Sequence, residues 1–222
     1  AQFTHLNPPS VAGYAAHTAA NALRAVVLDD ALIGQNPDPI QHGDNGQPLS
    51  AGNTLRSGDT ITGLTGILDE RFDERYRVQP PGPVNVAPAN PRTAGPPVVG
   101  GTVRVASVNV LNYFNGDGQG GGFPTARGAN TLAEFTRQRD KIIPAILTLN
   151  ADVVGLMEIE NDGYGANSAI QDLVNGLNAS AGAGTYAFVN PGGAALGTDQ
   201  IAVGIIYKPS RVSFVGSAAT TN

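Results

Sequence analysis

Apolar and polar positions follow two different periods along this chain, and the change of period divides it. Before residue 80 the apolar runs are short and interrupted. Residues 24–28 (Arg-Ala-Val-Val-Leu) run into Asp29-Asp30 and read as a strand. Residues 60–68 interleave Thr and Gly with aliphatics and read as a strand with bulges, and residues 75–79 as a third strand. Residues 15–25 suit one short helix, and Gly58-Asp59 a turn. Short strands with Gly-rich turns predict a small barrel. After residue 101 the pattern alternates between strand and helix. Residues 103–110 read as a strand and are followed by a Gly-rich loop, 116–122, read as flexible coil. Leu132, Phe135, Arg139, Ile142, Ile146 and Leu149 recur at helical spacing, which predicts an amphipathic helix over 130–149. Pro144 should kink it or loosen one turn. Residues 153–157 (Val-Val-Gly-Leu-Met) form an apolar run too short for a helix and read as a buried parallel strand that stops at Glu158. Ser168-Ala169-Ile170-Gln171 matches a capping box and opens a further helix. Residues 186–189, 201–207 and 211–215 read as strands.

A Pro-rich stretch lies between the two patterns. Residues 80–101 hold seven prolines and one charge, Arg92. Proline withholds a backbone donor and favours extended chain, so this stretch reads as a linker between residues 1–79 and 102–222. Of the 222 residues 41% are hydrophobic, enough for a packed core, and the absence of cysteine excludes disulfides, thiolate chemistry and Cys-based zinc sites. Net charge is −5, without a basic stripe that would advertise nucleic acid. A nucleic-acid enzyme of this balance needs a metal or a local basic patch to offset phosphate repulsion. No run approaches the length of a membrane span. The chain begins at Ala1 rather than Met and shows no leader pattern, which leads to the expectation of a processed protein or an excised piece.

The candidate chemistry follows from the strand–helix–strand unit over 103–157. A crossover of this kind joins parallel strands, so both end at one edge of the sheet. Asn109 then lies near the end of the first strand and Glu158 at the end of the second. A carboxylate at a strand end suits a hard cation such as Mg²⁺, and a neighbouring amide can orient a phosphate or a water.

Three segments resemble the opening half of an endonuclease/exonuclease/phosphatase domain, the superfamily of DNase I and exonuclease III. They are Ser107-Val108-Asn109-Val110-Leu111-Asn112, Arg137-Gln138-Arg139-Asp140-Lys141-Ile142 and Asp152-Val153-Val154-Gly155-Leu156-Met157-Glu158. Met157-Glu158-Ile159-Glu160-Asn161-Asp162, and the run from Gly197 to Tyr207, are similar to its extracellular bacterial nuclease branch. In that branch a small domain similar to an oligonucleotide-binding (OB) fold often precedes the nuclease. Leu28-Asp29-Asp30, the segment from Leu49 to Asp59, and Tyr76-Arg77-Val78-Gln79-Pro80 resemble such a domain. The resemblance implies a mixed α/β chain: an OB-like β-barrel over 1–79, then the first half of a DNase I-like four-layer α/β sandwich over 102–222. It implies a secreted, Mg²⁺-dependent (or Mn²⁺-dependent) nuclease acting on DNA, with RNA as a further substrate and Ca²⁺ as a further cation. Glu158 matches its metal-binding glutamate and Asn109 its phosphate-contacting asparagine. Asn112, Glu160 and Asp199 fall near the site in this alignment without assigned roles.

The departures from that pattern are equally specific. The mechanism implied needs a histidine, together with Gly-Asp-x-Asn and Ser-Asp-His type motifs. Residues 102–222 contain none of these; the three histidines are His5, His17 and His42. The expectation is a catalytically incomplete piece whose site needs a second chain or a further C-terminal half. Two other functions stay open: a binding module with an inert nuclease-like remnant, and a phospholipid or inositol-phosphate phosphodiesterase. Plainer readings accompany each residue. Glu158 can be a solvated strand end, Asn109 a turn former, Asp199 a turn before a strand, and Arg137, Arg139 and Lys141 a solvated helical face. His17 and His42 read as surface residues.

Overall fold

The computed structural model describes residues 3–34, 37–50, 52–71, 75–193 and 195–220. The chain divides into two compact units, Ala1–Arg92 and Thr93–Asn222, so the division falls inside the Pro-rich stretch. The protein is a mixed α/β chain with two mixed sheets.

In the first unit a helical turn, α1 (Phe3–Leu6), precedes helix α2 (Val11–Ala22). Ser10 caps α2, its Oγ accepting the Gly13 N–H at 3.1 Å, which satisfies one of the orphan donors of the first turn. The helix therefore starts four residues before the expected position. Strand β1 (Val27–Leu28) pairs in parallel with β3 (Arg75–Gln79), whose other edge takes β2 (Ile67–Arg71) antiparallel. Residues 61–66 do not join a strand; of the run expected over 60–68, Thr60 makes one bridge to Ala87 and β2 begins at Ile67. Its glycines weaken pairing and leave little side chain to pack. Among the described residues the three strands do not close into a barrel. Val84 and Val86 are buried, and Asp44 bridges to Val86. Asn90 bonds both the Asp59 carboxylate and the Ser57 carbonyl. Residues 84–90 thus pack as part of the first unit. His42 corrects its surface assignment: it is buried, with Nε2 3.3 Å from the Asp29 carbonyl oxygen.

The second unit carries the site. Strand β4 (Val105–Tyr113), helix α3 (Leu132–Leu149) and strand β5 (Val153–Glu160) form the crossover unit, with β4 and β5 parallel. Helix α4 (Ala169–Ala181), strand β6 (Ala187–Phe188) and strand β7 (Ile201–Tyr207) follow, giving the sheet order β4-β5-β7-β6. Thr131 caps α3 through the Glu134 N–H, and the Glu134 carboxylate reaches back to the Asn130 N–H at 2.6 Å. Asn150 ends the helix in the left-handed conformation, φ 49°. Helix α3 runs on through Pro144. Ser168 caps α4 as expected. One sheet face packs on the helices: Val110, Val154, Leu156 and Ile206 meet Phe135, Ile146, Ile170 and Leu173 in one buried cluster. The other face exposes Val105, Val203 and Ile205. Residues 211–215 form a turn and coil rather than a strand; Val215 is exposed and gains nothing from pairing. The glycine loop 116–122 is an ordered turn, in which the Asp117 carboxylate accepts the N–H groups of Gln119 and Gly121, both at 2.8 Å.

Candidate metal and phosphate site

Regular alternation would separate the two candidate side chains. Along β5, Val154 and Leu156 point into the core, so Glu158 should follow them inward. Instead the register slips. Leu156 pairs with Gly204 and Ile159 with Ala202, so β5 spends one more residue than β7 between those pairs. Glu158 occupies that bulge with φ 64°, and Ile159 takes the inward place at 2% exposure. The parallel partner does more. Asn109 pairs with Met157 and Tyr113 with Ile159, so β4 spends four residues where β5 spends two. Leu111 (φ 56°) and Asn112 (φ 48°) take up the excess. Left-handed backbone costs an L-residue about 1–2 kcal/mol, and three such non-glycine residues meet at this one strand edge.

The bulges bring the groups together. Asn109 Nδ2 donates to Glu158 Oε1 at 2.7 Å, and the Asn112 N–H donates to Glu158 Oε2 at 3.2 Å. The Leu111 N–H donates to Asn109 Oδ1 at 2.7 Å, fixing the amide from its other end. Gln138 of α3 holds the bulge from outside, its Nε2 donating to the carbonyls of Val110 (2.9 Å) and Leu111 (2.6 Å). Irregular strand leaves such carbonyls without ladder partners, and one side-chain amide satisfies two of them. No sequence period marks Gln138, because its task is set by a bulge that the pattern does not reveal.

The remaining candidates separate. Asn112 joins the site through its backbone; its buried side-chain Oδ1 has no hydrogen-bond partner. Glu160 faces another cluster, where its carboxylate accepts the Asn115 N–H at 3.3 Å. Burial pushes its pKa up to about 7, and the neighbouring Asp162 carboxylate adds to the rise. Asp162 accepts the Ala169 N–H at the start of α4 and is itself pushed up by burial. Asp199 pairs with Arg127 at 2.7 Å and accepts the Ile201 N–H, the turn-forming role of the plainer reading. The basic cluster on α3 also divides. Arg139 lies 3.3 Å from the Asp172 carboxylate, which accepts the Tyr113 hydroxyl at 2.6 Å. Burial first, then that carboxylate, raises the Tyr113 pKa far above the usual phenol value. Arg137 and Lys141 stay exposed.

The donors offered to a cation are all hard oxygens. Both Glu158 oxygens receive one neutral N–H donor each, and a carboxylate carries about four lone-pair positions, so each keeps room for a metal or its hydration shell. Among the described residues no ion pair neutralises Glu158, and no three His, Cys, Asp or Glu side chains cluster as a metal cage. One carboxylate with free lone pairs suits Mg²⁺, which keeps several waters and is held through one or two carboxylates. No described helix is long and apolar enough to cross a membrane. Comparison with protein-family models, with curated proteins and with solved structures found no match.

Proposed function

We propose that the second unit is the metal-binding part of a secreted phosphodiesterase that hydrolyses nucleic acid, DNA first and RNA as a further substrate. The supporting observation is the 2.7 Å contact between Asn109 and Glu158, built by strained backbone in two neighbouring strands. Strain concentrated at one strand edge is a mark of function rather than of stability. In this reading Glu158 holds Mg²⁺ or Mn²⁺, with Ca²⁺ as a weaker substitute. The bound ion neutralises phosphate charge and polarises the scissile bond. Asn109 is anchored at both ends of its amide and presents its second Nδ2 hydrogen to a phosphate oxygen. Asn112 fixes the Glu158 carboxylate through its N–H and adds Oδ1 as a hard acceptor. The attacking group is water. Residues 102–222 hold no histidine, so full turnover is expected only where another segment or chain supplies an acid/base group.

The exposed sheet face bearing Val105, Val203 and Ile205 is the kind of surface that a second sheet covers in a DNase I-like sandwich. The three-stranded first unit is read as an OB-like domain. The missing histidine also favours a second reading, a nucleic-acid-binding module without turnover. Mn²⁺ binding followed by electron paramagnetic resonance tests the central claim: wild type binds, and Glu158→Ala does not. Equal binding by both overturns it. A panel of plasmid DNA, RNA and sphingomyelin, assayed with Mg²⁺, separates nuclease from phospholipid chemistry and both from binding alone.

A further inference from the structure

The sheet edge opposite Glu158 gathers charge of the other sign. Arg104 leads into β4, Asp152 leads into β5, and Lys208 follows the antiparallel β7. Strand direction therefore brings all three to one edge, and Arg211 joins them from the turn after β7. About 16 Å of extended chain separates Arg104 from Asn109, so this edge is remote from the metal site. Arg104, Lys208 and Arg211 line an open pocket of about 350 Å³, and Asp152 is the one acid in its lining. The pocket is thus positive in a chain of net charge −5.

Internal contacts orient these cations without cancelling all of them. Arg211 is already committed: its Nε lies 3.1 Å from Asp152 Oδ1, and its Nη2 donates to the Thr102 carbonyl at 2.8 Å. The other Asp152 oxygen accepts the Arg104 backbone N–H at 2.9 Å. The side chains of Arg104 and Lys208 hold neutral oxygens, the Asn150 carbonyl and the Asn150 Oδ1. Among the described residues neither forms an ion pair. Asn150 ends α3, so both cations complement that helix end, but it carries only about half a negative charge. Lys208 also lies over the Tyr186 ring, 5.5 Å from its centroid, which steadies the ammonium group without supplying a countercharge. Burial lowers the Lys208 pKa, and the charges of Arg104 and Arg211 add to the fall while Asp152 opposes it.

We propose that this pocket binds a divalent oxyanion of the phosphate class, either orthophosphate or the terminal phosphate of a small phosphomonoester. A guanidinium has five N–H donors and an ammonium three, and Asn150 takes one from each cation. The remainder can make charge-assisted hydrogen bonds to phosphate oxygens. Thr102 and Ser210 line the same pocket and add hydroxyl donors. Donors that meet from separate strand ends suit a compact dianion. A polynucleotide carries one charge per phosphate along its length and would call for cations in a row. The site stands apart from the nuclease reading and needs no metal.

Isothermal titration calorimetry of the full chain with orthophosphate and with glycerol 3-phosphate, at fixed ionic strength and with EDTA present, tests the site. Wild type should bind at least one of them, and the tighter of the two identifies the source of the phosphate. Arg104→Ala/Lys208→Ala should weaken binding about tenfold or more, the scale of one lost charge-assisted hydrogen bond. That variant also removes bonds to Asn150, so Ser210→Asp serves as a second. It keeps those bonds, places a carboxylate at an exposed position of the lining, and should weaken binding by a similar factor. Arg24→Ala/Arg56→Ala removes two cations from the first unit and should leave the affinity unchanged, as should Glu158→Ala. The proposal is overturned if wild type binds neither compound up to about 10 mM, or if either pocket variant, folded by circular dichroism, keeps the wild-type affinity. Loss of phosphate binding in Glu158→Ala would also overturn it, by moving the phosphate to the metal site. An oligonucleotide without terminal phosphates that displaces orthophosphate from wild type would overturn the choice of a small ligand.

Discussion

Asp152 lies just before β5 and Glu158 within it, yet the protein treats their charges in opposite ways. Asp152 accepts the Arg104 N–H at 2.9 Å and pairs with Arg211 at 3.1 Å, with Lys208 contributing to the same local field. Its carboxyl is held below the usual range, chiefly by the Arg104 hydrogen bond. It stitches residues 102–104 and 208–211 to the start of β5. Glu158 receives two neutral donors and, among the described residues, no cation. Its backbone is left-handed, where that of an ordinary strand residue is extended. One carboxylate has its demand for positive charge met from within the chain; the other is held in place with that demand open. A charged residue is better sorted by what its neighbours leave unsatisfied than by its exposure alone.

The comparison breaks most visibly at Glu158. Glu158→Ala should lower Mn²⁺ affinity by about 100-fold or more, beyond the range typical of residues one shell further out, with thermal stability kept. Asp152→Ala should do the reverse, lowering the unfolding temperature and leaving Mn²⁺ affinity intact. Swapped outcomes in calorimetry and metal titration would invert the assignment. Next in size is Gln138→Ala, which frees the carbonyls of Val110 and Leu111. Metal affinity should fall about tenfold through a misplaced carboxylate, although Gln138 is not a ligand; unaltered affinity would show that the bulge holds itself. Tyr113→Phe removes a buried hydroxyl from Asp172 and should cost about 1–3 kcal/mol in urea unfolding without touching metal binding. The smallest effect is one of pH. Because the folded pKa of Asp152 is depressed, its contribution to stability is complete above the unfolded value, about pH 4, and fades as pH falls through the folded value. The difference in unfolding temperature between wild type and Asp152→Asn should therefore be full at pH 7 and close at lower pH. A constant difference down to pH 2 would remove the linkage.

The second unit was legible where one period held over a long stretch. The apolar positions of α3 recur over five turns and β7 is a uniform run, so both appear close to their expected bounds, whereas β5 runs past the expected stop at Glu158 to Glu160 because the bulge lets Ile159 return to the core. The parallel pairing of β4 with β5 follows from chain connectivity, and with it the meeting of Asn109 and Glu158 at one edge. The means of that meeting was hidden. Alternation alone sends Glu158 inward, and only the register slips, which pattern cannot show, bring it round to Asn109. Arg139 illustrates a second limit: a cation on a mostly polar helix reads as solvated until Asp172 arrives from α4. In the first unit short segments carried little signal. Residues 60–66 hold glycines that deny them a ladder, and His42 is buried by loops whose course no period encodes.

The kinks in β4 and β5 carry a consequence for protein engineers. Copying asparagine and glutamate onto two regular parallel strands would leave the pair on opposite sides of a sheet. Any transplant of this constellation must therefore carry its irregular main chain, and the glutamine that braces it, as one cassette.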